Sequence, residues 1–65
     1  MNLNRDKINI AMARKKLSVA GLAEAYGVSR SRMNAILNSR RVSTVCAGKL
    51  SEALGVDVTE IIENE

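Results

Sequence analysis

Residues 22–36 read LAEAYGVSRSRMNAI, and they describe two short helices folded back on each other at one glycine. Ser18 offers a cap for the first helix, Leu22, Ala23 and Tyr26 share one of its faces, and Gly27 stands where the chain must leave it. Val28 plugs the corner. Ser29 can cap a second helix over residues 29–38, where Met33, Ile36 and Leu37 recur at the three-and-four spacing of a single buried stripe. Both helices therefore turn an apolar face toward the same interior. With about one turn between them they form an αα-corner, and the second is left projecting with a polar outer face.

That outer face has an unusual composition. At about 100° per residue, Met33, Ile36 and Leu37 fall within a sector about 100° wide, while Ser31, Asn34, Ala35 and Asn38 occupy a similar sector almost opposite. Arg30 and Arg32 flank it, and no residue between Ser29 and Val42 is acidic. A helix that only keeps a protein soluble more often carries Glu and Lys in mixed order. One that enters a groove lined with phosphates needs small residues for close approach, amides or guanidiniums for base edges, and no carboxylates. Arg30 suits guanine O6 and N7, Asn34 suits adenine N6 and N7, Ala35 suits a thymine methyl, and Ser31 sits in the leading turn. Arg32, off the axis of this face, suits a phosphate. An ordinary exposed helix is the alternative these residues leave open.

Over residues 17–62, LSVAGLAEAYGVSRSRMNAILNSRRVSTVCAGKLSEALGVDVTEII, the chain resembles the Cro/repressor-type, or lambda-repressor-like, helix-turn-helix domains. The resemblance rests on Ala23 inside the second helix, Gly27 at the turn, Met33 and Ile36 in the third helix, and ALGV before a short acidic helix. It implies an all-α fold of five helices with helices 2 and 3 as the helix-turn-helix, and double-stranded DNA as partner with helix 3 in the major groove. It also places Arg40 and Arg41 where family members grip the DNA backbone. The chain departs from the pattern in carrying Lys16 and Ser39 where glycine is usual, Val19 where glutamine commonly braces the reading helix, and Val42 in place of a frequent proline. Asn38 tolerates a left-handed backbone, so the turn after helix 3 is expected there. Gly21 and Gly48 fall inside expected helices and read as points of close helix contact.

Sixty-five residues make a single domain, residues 1–65, with only a modest core. One cysteine and no histidine exclude an internal disulfide and a thiolate or imidazole zinc site. Cys46, between Val45 and Ala47, reads as a small core residue rather than a reactive thiol. Tyr26 is the only aromatic, which argues against base stacking as in single-strand or RNA readers. The net charge of +3 hides an asymmetry: up to Lys49 ten Lys and Arg face only Asp6 and Glu24, a balance of +8, whereas Glu52, Asp57, Glu60, Glu63 and Glu65 give −5 thereafter. Polyanions are oriented by such a split. Neither acid–base nor nucleophilic chemistry has its usual residues, so no enzyme, cofactor, metal or small-molecule substrate is expected. No stretch approaches the roughly 20 apolar residues of a membrane span and the opening MNLNRDKINI lacks a signal peptide's apolar region, so a cytoplasmic address is expected.

Along the chain, residues 1–4 read as loose, and Asn4 or Asp6 can cap a first helix running to about Lys16 with Ile8, Ala11 and Met12 inward. Arg14, Lys15 and Lys16 either complement that helix's dipole or lie along a DNA strand. The expected backbone contacts are Ser18, Val19, Ser29, Arg32, Asn38, Arg40, Arg41 and Ser43, several of them at helix N-termini where unpaired amides favour an anion. Helix 4 should span 44–54 with Ala47, Leu50, Ala53 and Leu54 inward and stop at Gly55. A last helix, TEIIENE, should follow a cap at Asp57 or Thr59. Val58, Ile61 and Ile62 offer it more apolar surface than docking needs, which makes them the expected interface of a homodimer, with plain packing onto the core as the alternative. The function these readings converge on is a sequence-specific DNA-binding transcriptional regulator that represses by occupying an operator. The rival is a helix-turn-helix fold kept as a protein-interaction module of the antitoxin or anti-repressor type.

Overall fold

Every helix in the chain starts on a side-chain cap. In the computed structural model, which describes residues 1–63, the helices are α1 (Arg5–Lys15), α2 (Val19–Tyr26), α3 (Arg30–Asn38) and α4 (Thr44–Leu54), followed by a 3-10 turn at Val58–Glu60. Asn4 Oδ1 accepts from the Lys7 amide, and the Ser18, Ser29 and Ser43 hydroxyls accept from the amides of Gly21, Arg32 and Cys46, all at 3.1 Å. Each such cap satisfies an amide the helix leaves unpaired and contributes about 1 kcal/mol. Glycines in the left-handed region end two helices, Gly27 at φ 97° and Gly55 at φ 69°. No helix among the described residues is long and apolar enough to cross a membrane.

The four helices and the C-terminal end share one core. Ile8, Leu22, Met33, Leu50, Leu54 and Ile61 are fully buried, so α1 to α4 and the segment after the 3-10 turn each contribute at least one side chain. Burying each contributes about 1.5–3 kcal/mol. α2 packs against both α3 and α4, and the 3-10 turn closes α1 against α4 from the other side. The expected inward residues Ile8, Ala11, Met12, Leu22, Ala23, Met33, Leu37, Ala47, Leu50 and Leu54 are all buried, while Tyr26, Val28, Ile36 and Ala53 pack partly buried against them.

Five expectations about the backbone and its small residues need correction. A fifth helix does not form among the described residues; Asn64 and Glu65, with which TEIIENE ends, lie outside them. Asp57 closes a single 3-10 turn through a capping box with Glu60, and from Ile61 the backbone pairs with residues 2–4 instead of continuing as a helix. The Asn4 amide donates to the Ile61 carbonyl at 2.8 Å, the Glu63 amide to the Asn2 carbonyl at 2.9 Å, and Leu3 and Ile62 form an antiparallel bridge. Residues 1–4 are accordingly not loose, and Leu3 is a core residue.

The other three corrections concern small residues. Asn38 is the last residue of α3 and keeps a negative φ; the helix ends at Ser39, whose hydroxyl donates back to the Ala35 carbonyl at 2.9 Å. The Arg5 guanidinium takes the Leu37 carbonyl at 3.2 Å, so the helix end is closed without a left-handed residue. A Cβ at Gly48 would meet nothing within 4 Å, and one at Gly21 would meet only Leu17 and Ser18, so neither is a close contact between packed helices. Cys46 is half-buried and takes the Tyr26 hydroxyl at 3.4 Å; the small core residue of α4 is its neighbour Ala47.

Two substitutions follow from this backbone. Gly48→Ala removes the entropic cost of a helical glycine at an open position and should raise stability by about 0.5–1 kcal/mol. Lys16 ends α1 at φ 56°, a conformation that favours glycine, and Lys16→Gly should add a similar amount, about 0.5–1 kcal/mol. The two sites lie on different elements, so the double variant should show the sum in urea denaturation.

The cap of the 3-10 turn is sensitive to acid. The Thr59 amide, and after it the Thr59 hydroxyl, holds the Asp57 carboxyl below the usual Asp range. As pH falls the unfolded chain therefore takes up that proton first; the cap stabilises the fold above the usual Asp range and is lost as pH drops through the folded value. The stability difference between the parent and Asp57→Asn should shrink below about pH 4, read from urea midpoints across an acid series.

Candidate nucleic-acid interface

α3 presents a face free of acidic groups, and its position follows from residues on its other side. Gly27 turns the chain after α2, its amide and that of Val28 both donating to the Ala23 carbonyl at 2.8 and 3.0 Å. Nothing lies within 4 Å of a Cβ built at Gly27, so glycine is needed there for its positive φ and not for space. Met33 and Leu37 are buried and Ile36 is half-buried, and this stripe fixes the rotation of α3 about its axis. Arg30, Ser31, Arg32, Asn34, Ala35 and Asn38 are consequently all exposed. From Ala25 to Ser51 the chain has no Asp or Glu.

The expected site residues fall into two neighbourhoods. A shallow groove of about 210 Å³ between α3 and the start of α4 brings together Arg32, Ala35, Ser39, Ser43 and Cys46. A second, more polar depression of about 390 Å³ at the far end of α3 holds Asn38 and Arg40, together with Arg5 and the carboxylates of Asp6 and Glu63. Ser18 and Val19 stand apart from both, at the start of α2. Val19 packs partly buried against the core and has only an edge to offer a sugar or methyl group. The hydroxyl oxygens of Ser18, Ser29 and Ser43 serve their own helices, which leaves each hydroxyl hydrogen free to donate outward.

The cations other than Lys16 divide into two groups by what they touch. Arg5 is bonded to Asn9 and Leu37, Lys7 to the Ile62 carbonyl, and Arg14 to Glu60 at 3.5 Å. Lys15 lies across Gly55, its Nζ 2.5 Å from where a Cβ would stand, and Lys49 sits over the Tyr26 ring at 4.8 Å. Arg14 and Lys15 therefore turn toward the 3-10 turn and the end of α4, as dipole and charge partners. By contrast Arg30, Arg32, Arg40 and Arg41 are exposed and make no side-chain hydrogen bond or ion pair among the described residues. Four guanidiniums within one helix and its following loop, none of them in an ion pair among the described residues, leave a concentrated positive field.

Beneath this face Tyr26 ties α2 to α4. Its hydroxyl donates to Cys46 Sγ, and that bond, with burial and the thiol's charge behind it, pushes the phenol up from its usual value while Arg32 acts the other way. Neither this link nor the Arg5 bond to α3 could be paired from sequence spacing, since each joins residues 20 or more positions apart. The expected dimer residues are mostly turned inward. Ile61 is fully buried in the core of its own chain, a correction to its expected place at an interface, and Val58 and Ile62 are partly buried against the same core.

No curated protein and no solved structure matches the chain. A family model does, described as the Cro/C1-type helix-turn-helix DNA-binding domain and matched over residues 7–65. The match covers α2 and α3 with the glycine turn between them, α4, and α1 from Lys7 onward. On that match, and with the exposed arginine-flanked face of α3 beside it, the chain belongs to the Cro/C1-type helix-turn-helix DNA-binding domain family.

Proposed function

We propose that the chain binds double-stranded DNA in a sequence-specific manner and regulates transcription, as a cytoplasmic repressor that occupies its operator. One observation carries the reading: the four guanidiniums without a hydrogen-bond or ion-pair partner among the described residues all lie on α3 and the loop after it, around an outward face of Ser31, Asn34, Ala35 and Asn38. With α3 in the major groove, Arg30, Ser31, Asn34 and Ala35 face base edges. Arg32, Asn38, Arg40, Arg41 and the capping serines Ser18, Ser29 and Ser43 meet the backbone, with the edge of Val19 alongside.

Two copies on a pseudo-palindrome would set their α3 helices about 34 Å apart, one turn of DNA. The longest extent of one chain is 30 Å, so copies so placed stand side by side. A pairing through the C-terminal end would use Val58 and Ile62, since Ile61 is already inside its own core. The same burial weakens the rival reading as a protein-interaction module, because it removes Ile61 from the apolar surface a partner would need at that end.

The test is a salt titration with matched and mismatched duplexes. Arg40→Ala and Arg41→Ala should each weaken binding to every duplex alike and lower the slope of log K against log salt by about one unit. Retention of duplex that does not depend on salt would sink the reading, because guanidinium–phosphate contacts cannot form without releasing counterions.

A further inference from the structure

The loop that carries Arg40 and Arg41 is held by the first three residues of the chain. The Leu3 amide donates to the Arg40 carbonyl at 2.9 Å, the Val42 amide to the Met1 carbonyl at 2.9 Å, and the Met1 nitrogen to the Val42 carbonyl at 2.7 Å. Asn2 and Arg41 are thus directly opposite each other in an antiparallel bridge. On the other edge the same residues pair with Ile61, Ile62 and Glu63, so the loop is tied through residues 1–4 to the far end of the chain.

The register of this pairing decides where Arg41 points. Side chains alternate between faces along an extended segment, and directly opposed residues share a face. Leu3 is 7% exposed and belongs to the core, so its neighbour Asn2 must face away from the core, and Arg41 opposite Asn2 faces away with it. Slipping the pairing by one residue would turn Arg41 toward the core. We infer that residues 1–3 are a positioning element for the DNA grip, in which burial of Leu3 sets the register that aims Arg41 at the phosphate backbone. This rests on the DNA-binding reading above.

The expected result is a shared loss. With a mixed-sequence duplex of about 30 base pairs, Arg41→Ala should weaken binding about fivefold at 0.15 M salt and lower the salt slope by about one unit, the effect of one phosphate contact. Leu3→Ala, studied in the cold where circular dichroism shows it folded, should reproduce both changes although it alters no charge. In the Arg41→Ala background Leu3→Ala should then change neither. A purely structural role for Leu3 lowers stability and leaves the slope of the folded fraction as it was, and an unchanged slope would overturn the inference. Where Leu3→Ala does not fold, hydrogen exchange of the wild-type chain decides. Saturating duplex should slow the Leu3 and Val42 amides more than the Val56 amide, which bonds to Ser51 away from the proposed contacts; equal slowing would overturn the inference. A wild-type chain whose duplex retention ignores salt would instead overturn the DNA-binding reading itself.

Discussion

Alanine at Met33 should lower the urea midpoint of the chain by about 2 M or more, enough to leave much of it unfolded in buffer. Met33 is fully buried, the deepest side chain of α3, in one core cluster with Leu22 of α2 and Leu50 and Leu54 of α4. Cutting a buried methionine back to alanine costs about 2–5 kcal/mol, from lost burial and from the space left behind. A single core of this size supplies only about 3–5 kcal/mol in total, so the loss is nearly the whole margin. Alanine is at the same time a better helix former than methionine, so the helix itself is not the weak point. DNA should restore the fold, because a ligand at one hundred times its dissociation constant adds about 2.7 kcal/mol. Recovery of helical ellipticity on adding duplex to Met33→Ala would join the two halves of α3, one anchoring and one binding. Leu50→Ala, equally buried on α4, is the comparison: it should lose as much stability and bind, once folded, with the wild-type salt slope. A loss below about 0.5 kcal/mol for Met33→Ala would mean that α3 is held by something other than its buried stripe.

What could be read from the sequence was what is local or periodic. Each cap joins residues three apart, so Ser18, Ser29 and Ser43 announce their helices within one turn. The Met33, Ile36 and Leu37 stripe repeats with the helix, which is why the rotation of α3, and with it the exposure of Arg30, Ser31, Asn34 and Ala35, was legible. Residues 1–4 defeat the same reasoning. They pair with segments about 40 and 60 positions away through two isolated bridges, and a stretch with one buried leucine has no period to detect. The expected fifth helix fails for the same reason: Val58, Ile61 and Ile62 fit a helical stripe, but the backbone after Glu60 bonds to residues 2 and 4 instead. The sorting of the cations also needed coordinates. From sequence Arg14 and Lys15 fit either a helix dipole or a DNA strand, and the choice between them rests on Glu60, bonded to Arg14 from 46 positions away, and on Gly55, which lies under Lys15. Among the site residues Val19 was the least legible, because nothing in its neighbours says how far it sinks between α2 and the core.

Arg30→Ala and Asn34→Ala should each cost about 1–3 kcal/mol of binding to the preferred duplex and relax the preference at one position only. Both side chains are exposed, so neither change removes core contacts, and the urea midpoints should stay within about 0.5 kcal/mol of the parent. That separates them from Met33→Ala, where binding falls because folding falls. Their spacing makes the expectation sharper. Arg30 and Asn34 lie four residues apart on α3, a rise of about 6 Å, close to two steps of 3.4 Å along a DNA strand. Selection of bound duplexes from a random pool should therefore show the two variants relaxing positions about two base pairs apart, with Arg30→Ala losing a guanine and Asn34→Ala an adenine. Asn34→Asp carries the same shape with a charge, and it should weaken binding to every sequence, because it brings a carboxylate into a stretch that has none between Glu24 and Glu52. If Asn34→Ala instead lowers affinity for all duplexes equally, Asn34 touches the backbone, and α3 must lie in the groove turned about its axis by enough to bring Arg32 or Asn38 to the base edges.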